Sequence, residues 1–268
     1  MKDANKGFIY MLIGVFLFSI SSVMIKVLYK MGINETTVTP LFSLFVFIIS
    51  FLYNITKKQD KLKIEKQKIK YVVLHGIIAV ALINMFFNRS LIYIDASIAI
   101  MILYLNCVFI FLFQKIFRNQ KFSISSIISM IIVIGGLFFA SNPEMAGKVY
   151  SIKGLLFAFG ASICYTFYNI NVEENLYDID TSVTIMYAQL TSAILLMSIY
   201  NPVKVFDFNI TFINICIIFV IAFAVSFLPM FFIMKGVDKL GAYKSSIIGT
   251  MELPFTAILA TIVIGETM

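Results

Sequence analysis

Apolar residues run through this chain in long stretches, separated by short polar ones. Nine stretches reach 18 residues or more: roughly 7–28, 38–55, 71–91, 96–116, 122–141, 152–172, 182–200, 211–234 and 242–264. Each is long enough to cross the ~30 Å hydrocarbon core as a helix. The ~10-residue alternating segments of a transmembrane barrel do not occur. The pattern predicts an all-α, polytopic membrane protein with nine transmembrane helices.

The five prolines fit these boundaries. Pro40 opens the second span, where a missing N–H matters little. Pro143 and Pro202 follow the fifth and seventh spans. Only Pro229 and Pro254 lie inside spans, where they free the carbonyls of Val225 and Thr250. Broken bonding at membrane depth is tolerated where protein or a cavity receives the freed groups. At Pro229 a simple packing kink is an equal reading.

The loops set the orientation. Residues 56–70 hold seven lysines, and Lys115, Arg118 and Lys121 follow the fourth span. Basic loops stay cytoplasmic, which places the N-terminus inside the cell membrane. The loop after the sixth span, EENLYDID, is acidic and carries no cation, but acidic residues count little in this rule.

Composition narrows the function. The chain is 60% hydrophobic and 13% charged, with a mean hydropathy of +0.96, against roughly 25% charged in soluble domains. A net charge of +7 would suggest nucleic acid in a soluble protein, but here the lysines are topological and no nucleic-acid partner is expected. Cys107, Cys164 and Cys216 each sit in an apolar stretch, and the single His75 has no companion ligands. No metal, no cofactor and no catalytic set is expected, so an enzyme is not. The first span is too long for a removable signal peptide and lacks a cleavage site.

Sliding the chain over itself exposes a repeat. At an offset of 146, Phe86 falls on Phe232, Arg89 on Lys235, Ala96 on Ala242 and Phe109 on Phe255. At 147, Lys6-Gly7 falls on Lys153-Gly154. The layout repeats too: a Lys-Gly-led span, a second span after a loop, then a tight pair joined by a charged hinge. Residues 1–146 form one repeat of five spans and 147–268 a second of four. Five spans per repeat invert the second copy, as in many secondary transporters, whose substrate site lies at midplane between the copies. The counterpart of the fifth span would begin beyond residue 268. A truncated chain that acts only as an interaction partner or degenerate copy is the alternative reading.

Two segments, FFNRSLIYIDASIAIMILYLNCVF (86–109) and KGVDKLGAYKSSIIGTMELPFTAILATIVIGE (235–266), carry a family pattern. It consists of a hinge ending in a small residue, a small-residue helix face, a mid-helix proline and a closing Gly-Glu. The chain resembles the EamA-like ten-helix members of the drug/metabolite transporter superfamily. The second copy fits through Ala242, Pro254, Gly265 and Glu266; the first departs, with Val108 for the proline and Asn119-Gln120 for Gly-Glu. The resemblance implies both termini in the cytoplasm and export or exchange of small metabolites.

Polar groups at depth are the site candidates. Glu252 leads, because a carboxylate at mid-span costs about 2.5–3.5 kcal/mol and must face a cavity or a partner. It would bind a cationic group, carry a coupling proton, or brace a neighbouring helix. Asn106 is its repeat equivalent. Asn84 and Asn88 share a helix face, and either line a cavity or bond across helices. Tyr104, Tyr165, Asn169, Tyr187 and Gln189 complete the set; aromatic walls with a few amides suit an amino-acid-like or other amphipathic metabolite. Lys26 and Glu173 are repeat equivalents near helix ends, where snorkelling is favoured. Gly154, Ala158 and Ser162 form a ladder for close helix approach. The partners expected are a small molecule and the bilayer; a homodimer stays open.

Overall fold

A computed structural model describes residues 2–264 except 59, 61, 95, 123, 125, 126, 129, 133, 136–150 and 202–211. Eight of the nine expected spans are helices long and apolar enough to cross a membrane. In the fifth, residues 124, 127–128, 130–132 and 134–135 are helical; its remainder and Gly265-Glu266 lie outside the described residues.

The first repeat supplies α1 (Lys2–Lys30), α2 (Glu35–Lys57) and α3 (Lys66–Tyr93). Its fourth span is two half-helices, α4 (Ala96–Leu103) and α5 (Asn106–Phe117). The second repeat supplies α6 (Ile152–Asn175), α7 (Thr181–Tyr200) and α8 (Ile215–Leu240). Its last described span is again two half-helices, α9 (Ala242–Gly249) and α10 (Glu252–Ile264).

The two repeats exchange partners. The first helix of each packs on the third of the other, α1 on α8 and α6 on α3. Glycines make both seams close. A Cβ on Gly7 would stand 2.8 Å from Leu240 Cγ, and one on Gly154 would stand 2.7 Å from Ile94 Cγ2. These two contacts are repeat equivalents, although the ladder itself is not repeated: Met11 and Val15 stand where Ala158 and Ser162 do.

The second helices, α2 and α7, pack against each other along a polar stripe. Asn54 donates to the Ser182 carbonyl at 2.9 Å and accepts from its hydroxyl at 2.6 Å. Midway, the hydroxyls of Ser43 and Ser192 lie 3.0 Å apart. At the other end Tyr200 donates to Glu35 at 2.6 Å. All six residues are buried. In a membrane, packing and interhelical hydrogen bonds hold helices together, because lipid is as apolar as leucine. Phe8, Ile9, Phe16, Leu156 and Ile163 are exposed and face the lipid.

Both repeats break helical bonding at equivalent places. Leu105 N–H bonds back to Ile102 and Cys107 N–H to Tyr104, at 3.1 and 3.2 Å. Met251 N–H bonds to Ile248 and Leu253 N–H to Thr250, at 3.1 and 3.2 Å. Each residue of the second set is numbered 146 above its partner in the first. The carbonyl that Pro254 frees is thus taken by Leu253, within a tightened turn. The proline is not needed for the break, since Val108 stands in its place in the first copy. The third helices match as well, with π-helical segments at His75–Leu82 and Phe223–Phe227. Val225, whose carbonyl Pro229 frees, lies within the second.

Gly14 tests the α1–α8 seam. A Cβ there would lie 2.6 Å from Ile233 Cγ1 and 3.2 Å from the Pro229 carbonyl oxygen. Gly14→Val should lower stability by about 1–3 kcal/mol, the usual scale of overpacking. Thermal unfolding in detergent measures it, and an unchanged melting temperature would contradict so tight a seam.

Candidate functional site

The breaks meet at the centre of the bundle. Tyr104, at the first break, donates a 2.5 Å hydrogen bond to Glu252, the first residue after the second break. Gly249 leaves the room this needs, since a Cβ there would lie 2.9 Å from the Tyr104 ring. Tyr165 from α6 stands edge-on to Tyr104, with ring centroids 6.1 Å apart.

Glu252 also borders a cavity of about 130 Å³ between the repeats. That is well above the ~10–15 Å³ needed for one water. Asn84 and Asn88 of α3 and Gln189 of α7 supply amides to its wall. Phe18, Phe42, Phe87, Tyr165 and Tyr168 supply aromatic surface. Asn88 donates to Thr39 at 3.0 Å, and Gln189 donates to the Met230 sulfur at 3.2 Å. Asn88 therefore both borders the cavity and bonds across helices.

Five of the sequence candidates come together on this cavity: Glu252, Asn84, Asn88, Tyr165 and Gln189. Tyr104 stands behind Glu252, wholly buried. Asn106 and Asn169 are buried outside the lining; Asn169 donates to the Tyr165 carbonyl at 2.9 Å. The Asn106 amide has no hydrogen-bond partner among the described residues. Tyr187 points elsewhere, donating to the Leu62 carbonyl at 3.1 Å. Pro229 is buried at the start of the α-helical part of α8 that follows the π segment, and Pro254 is exposed in the first turn of α10. The Lys26 side chain lies outside the described residues. Its equivalent Glu173 does not snorkel alone: it accepts from Gln114 at 3.0 Å and from the Ala242 N–H that opens α9.

Sequence reasoning missed Ser21, Thr39, Ser43, Ser226 and Tyr168, which also line the cavity. The α2 members were legible as a stripe, because Thr39, Ser43, Ser50 and Asn54 recur at helical spacing through an apolar helix.

The cavity sits off centre. Its lining positions in α1, α2 and α3 (18–25, 39–46 and 79–88) fall in the halves leading away from the lysine-rich loop. The lysine-rich end is closed by charge. Lys58 pairs with Asp180 at 2.5 Å, Lys68 with Asp178 at 2.6 Å, and Arg118 with Glu174. Every one of these pairs joins the two repeats, which gives the acidic EENLYDID loop its role. At the opposite face Glu35 accepts from Tyr200 and faces Arg89 at 3.7 Å. Burial raises the Asp180 carboxyl, but hydrogen bonds from Lys58 and Ser182 outweigh it and hold the group below its ordinary range.

Inverted repeats with broken helices meeting at a cavity between them are the architecture of secondary transporters. This chain is a membrane transporter of small molecules. It belongs to the EamA-like transporter family, which it matches over residues 5–142 and 152–268. It is 22% identical to an uncharacterized transporter of Clostridium kluyveri over 274 residues, covering 98% of this chain and 87% of that one. A solved crystal structure shares the fold at a TM-score of 0.72 and 12% identity, covering 100% of this chain and 90% of the other.

The Asp180 pairing carries a pH signature. A carboxyl with a lowered folded pKa stabilises above its unfolded value of about 3.9, and the effect is lost only as pH falls below that. The Asp180 contribution is therefore the same at pH 7 and pH 5, and it is read from amide exchange of residues 181–186, corrected for intrinsic rate. Asp180→Asn should raise that exchange several-fold at both; equal exchange in the variant would remove the latch.

Proposed function

We propose that this transporter moves small amphipathic, amino-acid-like metabolites across the cell membrane by export or exchange. The repeats, divided near residue 146, rock about the cavity and expose it to each side in turn. The N-terminus and the lysine-rich face are cytoplasmic, a reading supported by the seven lysines of residues 56–70. In the state described, the charge pairs close that face and the cavity lies toward the outside.

The observation that carries the reading is Glu252, 6% exposed, bordering a cavity beside the two equivalent helix breaks. A carboxylate at that depth needs protein or cargo to stabilise it. The half-helices of both repeats end at the same point, where tightened turns replace regular helical bonding. Glu252, with Tyr104 orienting it, binds the polar end of the substrate or a coupling proton. Asn84, Asn88 and Gln189 supply hydrogen bonds, and Tyr165 packs on the apolar part. Asn106 and Asn169 are buried beside the cavity and take no direct part in binding.

Purified protein in proteoliposomes, screened with the common amino acids under an imposed pH gradient, tests this. Transport of at least one should follow the gradient, and Glu252→Gln should abolish that dependence. A variant with an unchanged pH response would sink the role given to Glu252.

A further inference from the structure

His75 is the only histidine in the chain, and neither the fold nor the cavity chemistry described above uses it. It is wholly buried, at the start of the π segment of α3. Ala79 and Val80, one turn further on, line the cavity. Its ring lies against Tyr168, another lining residue, with centroids 4.8 Å apart. On the other side, Asn171 Nδ2 lies 3.3 Å from His75 Nδ1. Asn171 also donates to the Tyr71 carbonyl at 3.1 Å and accepts from Asn175 at 3.0 Å. His75 therefore forms a layer between the cavity and the lysine-rich face.

The network fixes its protonation. Asn171 uses its oxygen to accept from Asn175, so its amide nitrogen donates to Nδ1. Nδ1 is then an acceptor, the proton sits on Nε2, and the ring is neutral. Nε2 and the Tyr168 hydroxyl are buried and make no hydrogen bond among the described residues. No ion pair to His75 occurs among them either.

The charged groups on the elements packed around it are engaged elsewhere. On α6, Glu173 holds Gln114 and Glu174 holds Arg118. On α3, Lys68 holds Asp178, Lys70 lies over the Tyr71 ring, and Arg89 faces Glu35; Lys66 is exposed. On α7 the nearest titratable group is Tyr187, bonded to Leu62. Among the described residues, the surroundings thus contain no counterion for an imidazolium.

We propose that His75 is a proton-binding site that becomes available only when the lysine-rich face opens. This rests on the alternating-access reading given above. Opening brings water to the layer, where an ordinary imidazole binds a proton near pH ~6.5. The proton comes from bulk water on that side and binds Nδ1, displacing the Asn171 N–H; no other bond forms. Reclosure would bury an unpaired charge, which is strongly unfavourable. Acid on the lysine-rich side therefore holds the transporter open to that side until His75 releases its proton. The Asp180 latch is not the sensor, because its carboxyl titrates below the ordinary carboxylate range.

A sole histidine makes the test direct and substrate-free. Protein purified without a histidine tag, in nanodiscs, is treated with diethyl pyrocarbonate, which acylates neutral imidazole, and residue 75 is followed by mass spectrometry. Wild type should react slowly and Asp180→Asn several-fold faster, with the rate in Asp180→Asn falling below pH ~6.5. Amide exchange of residues 54–58 and 181–186, corrected for intrinsic rate, should rise between pH 7.5 and 5.5 in wild type and stay flat in His75→Asn. Free reactivity in wild type, or no gain on unlatching, overturns the proposal even if His75→Asn fails to fold. An acid response that survives in His75→Asn overturns it as well. If Glu252→Gln fails the transport test while these results hold, the coupling role falls and the His75 site stands.

Discussion

The hydrogen bond from Tyr104 to Glu252 joins the two places where the chain gives up regular helical bonding. In hydrocarbon an unsatisfied backbone group costs several kcal/mol, so such places must be surrounded by protein. Here each break helps to bury the other. Tyr104 belongs to the first and Glu252 to the second, and Gly249 gives up a side chain so that they can meet. The cavity follows from this arrangement, because half-helices that end at the same depth leave space and polar groups between them.

The pseudo-symmetry of the repeats spreads the same logic outward. Exchanged packing of α1 on α8 and α6 on α3 is fixed by glycines at matched positions. The α2–α7 stripe ends in Asn54–Ser182 at one face and Glu35–Tyr200 at the other, two clamps at nearly equivalent positions. The asymmetry lies in the charges, since three pairs bridge the repeats at the lysine-rich end. A bundle built from matched copies can adopt either of two related closures, and side-chain chemistry decides which is populated.

Much of this was legible in the sequence. Span positions, the repeat and the equivalence of Asn106 with Glu252 all follow from hydropathy and self-comparison. The depth of Glu252 was readable because a carboxylate in lipid has few alternatives. The break at Tyr104–Leu105 was not readable. Proline flags such a break in the second copy, but in the first it is imposed by packing against the partner half, with no local signal in Val108. Likewise Tyr187 and Asn169 look like site residues on a helical wheel. Only the tertiary arrangement turns Tyr187 to the Leu62 carbonyl and Asn169 to its own helix. The acidic EENLYDID loop looked like a weak exception to charge bias. Its partners Lys58, Lys68 and Arg118 come from the other repeat, at separations no local pattern encodes.

Access to the cavity from one face while the other is latched is the central claim, and cysteine labelling tests it most directly. In a background with the three native cysteines replaced, Asn54→Cys and Ser182→Cys are cross-linked to fix the lysine-rich end, and Asn84→Cys reports on the cavity. A membrane-impermeant maleimide should label residue 84 in nanodiscs at the same rate with and without the cross-link. Loss of labelling on cross-linking would place the entrance at the lysine-rich face and contradict the account.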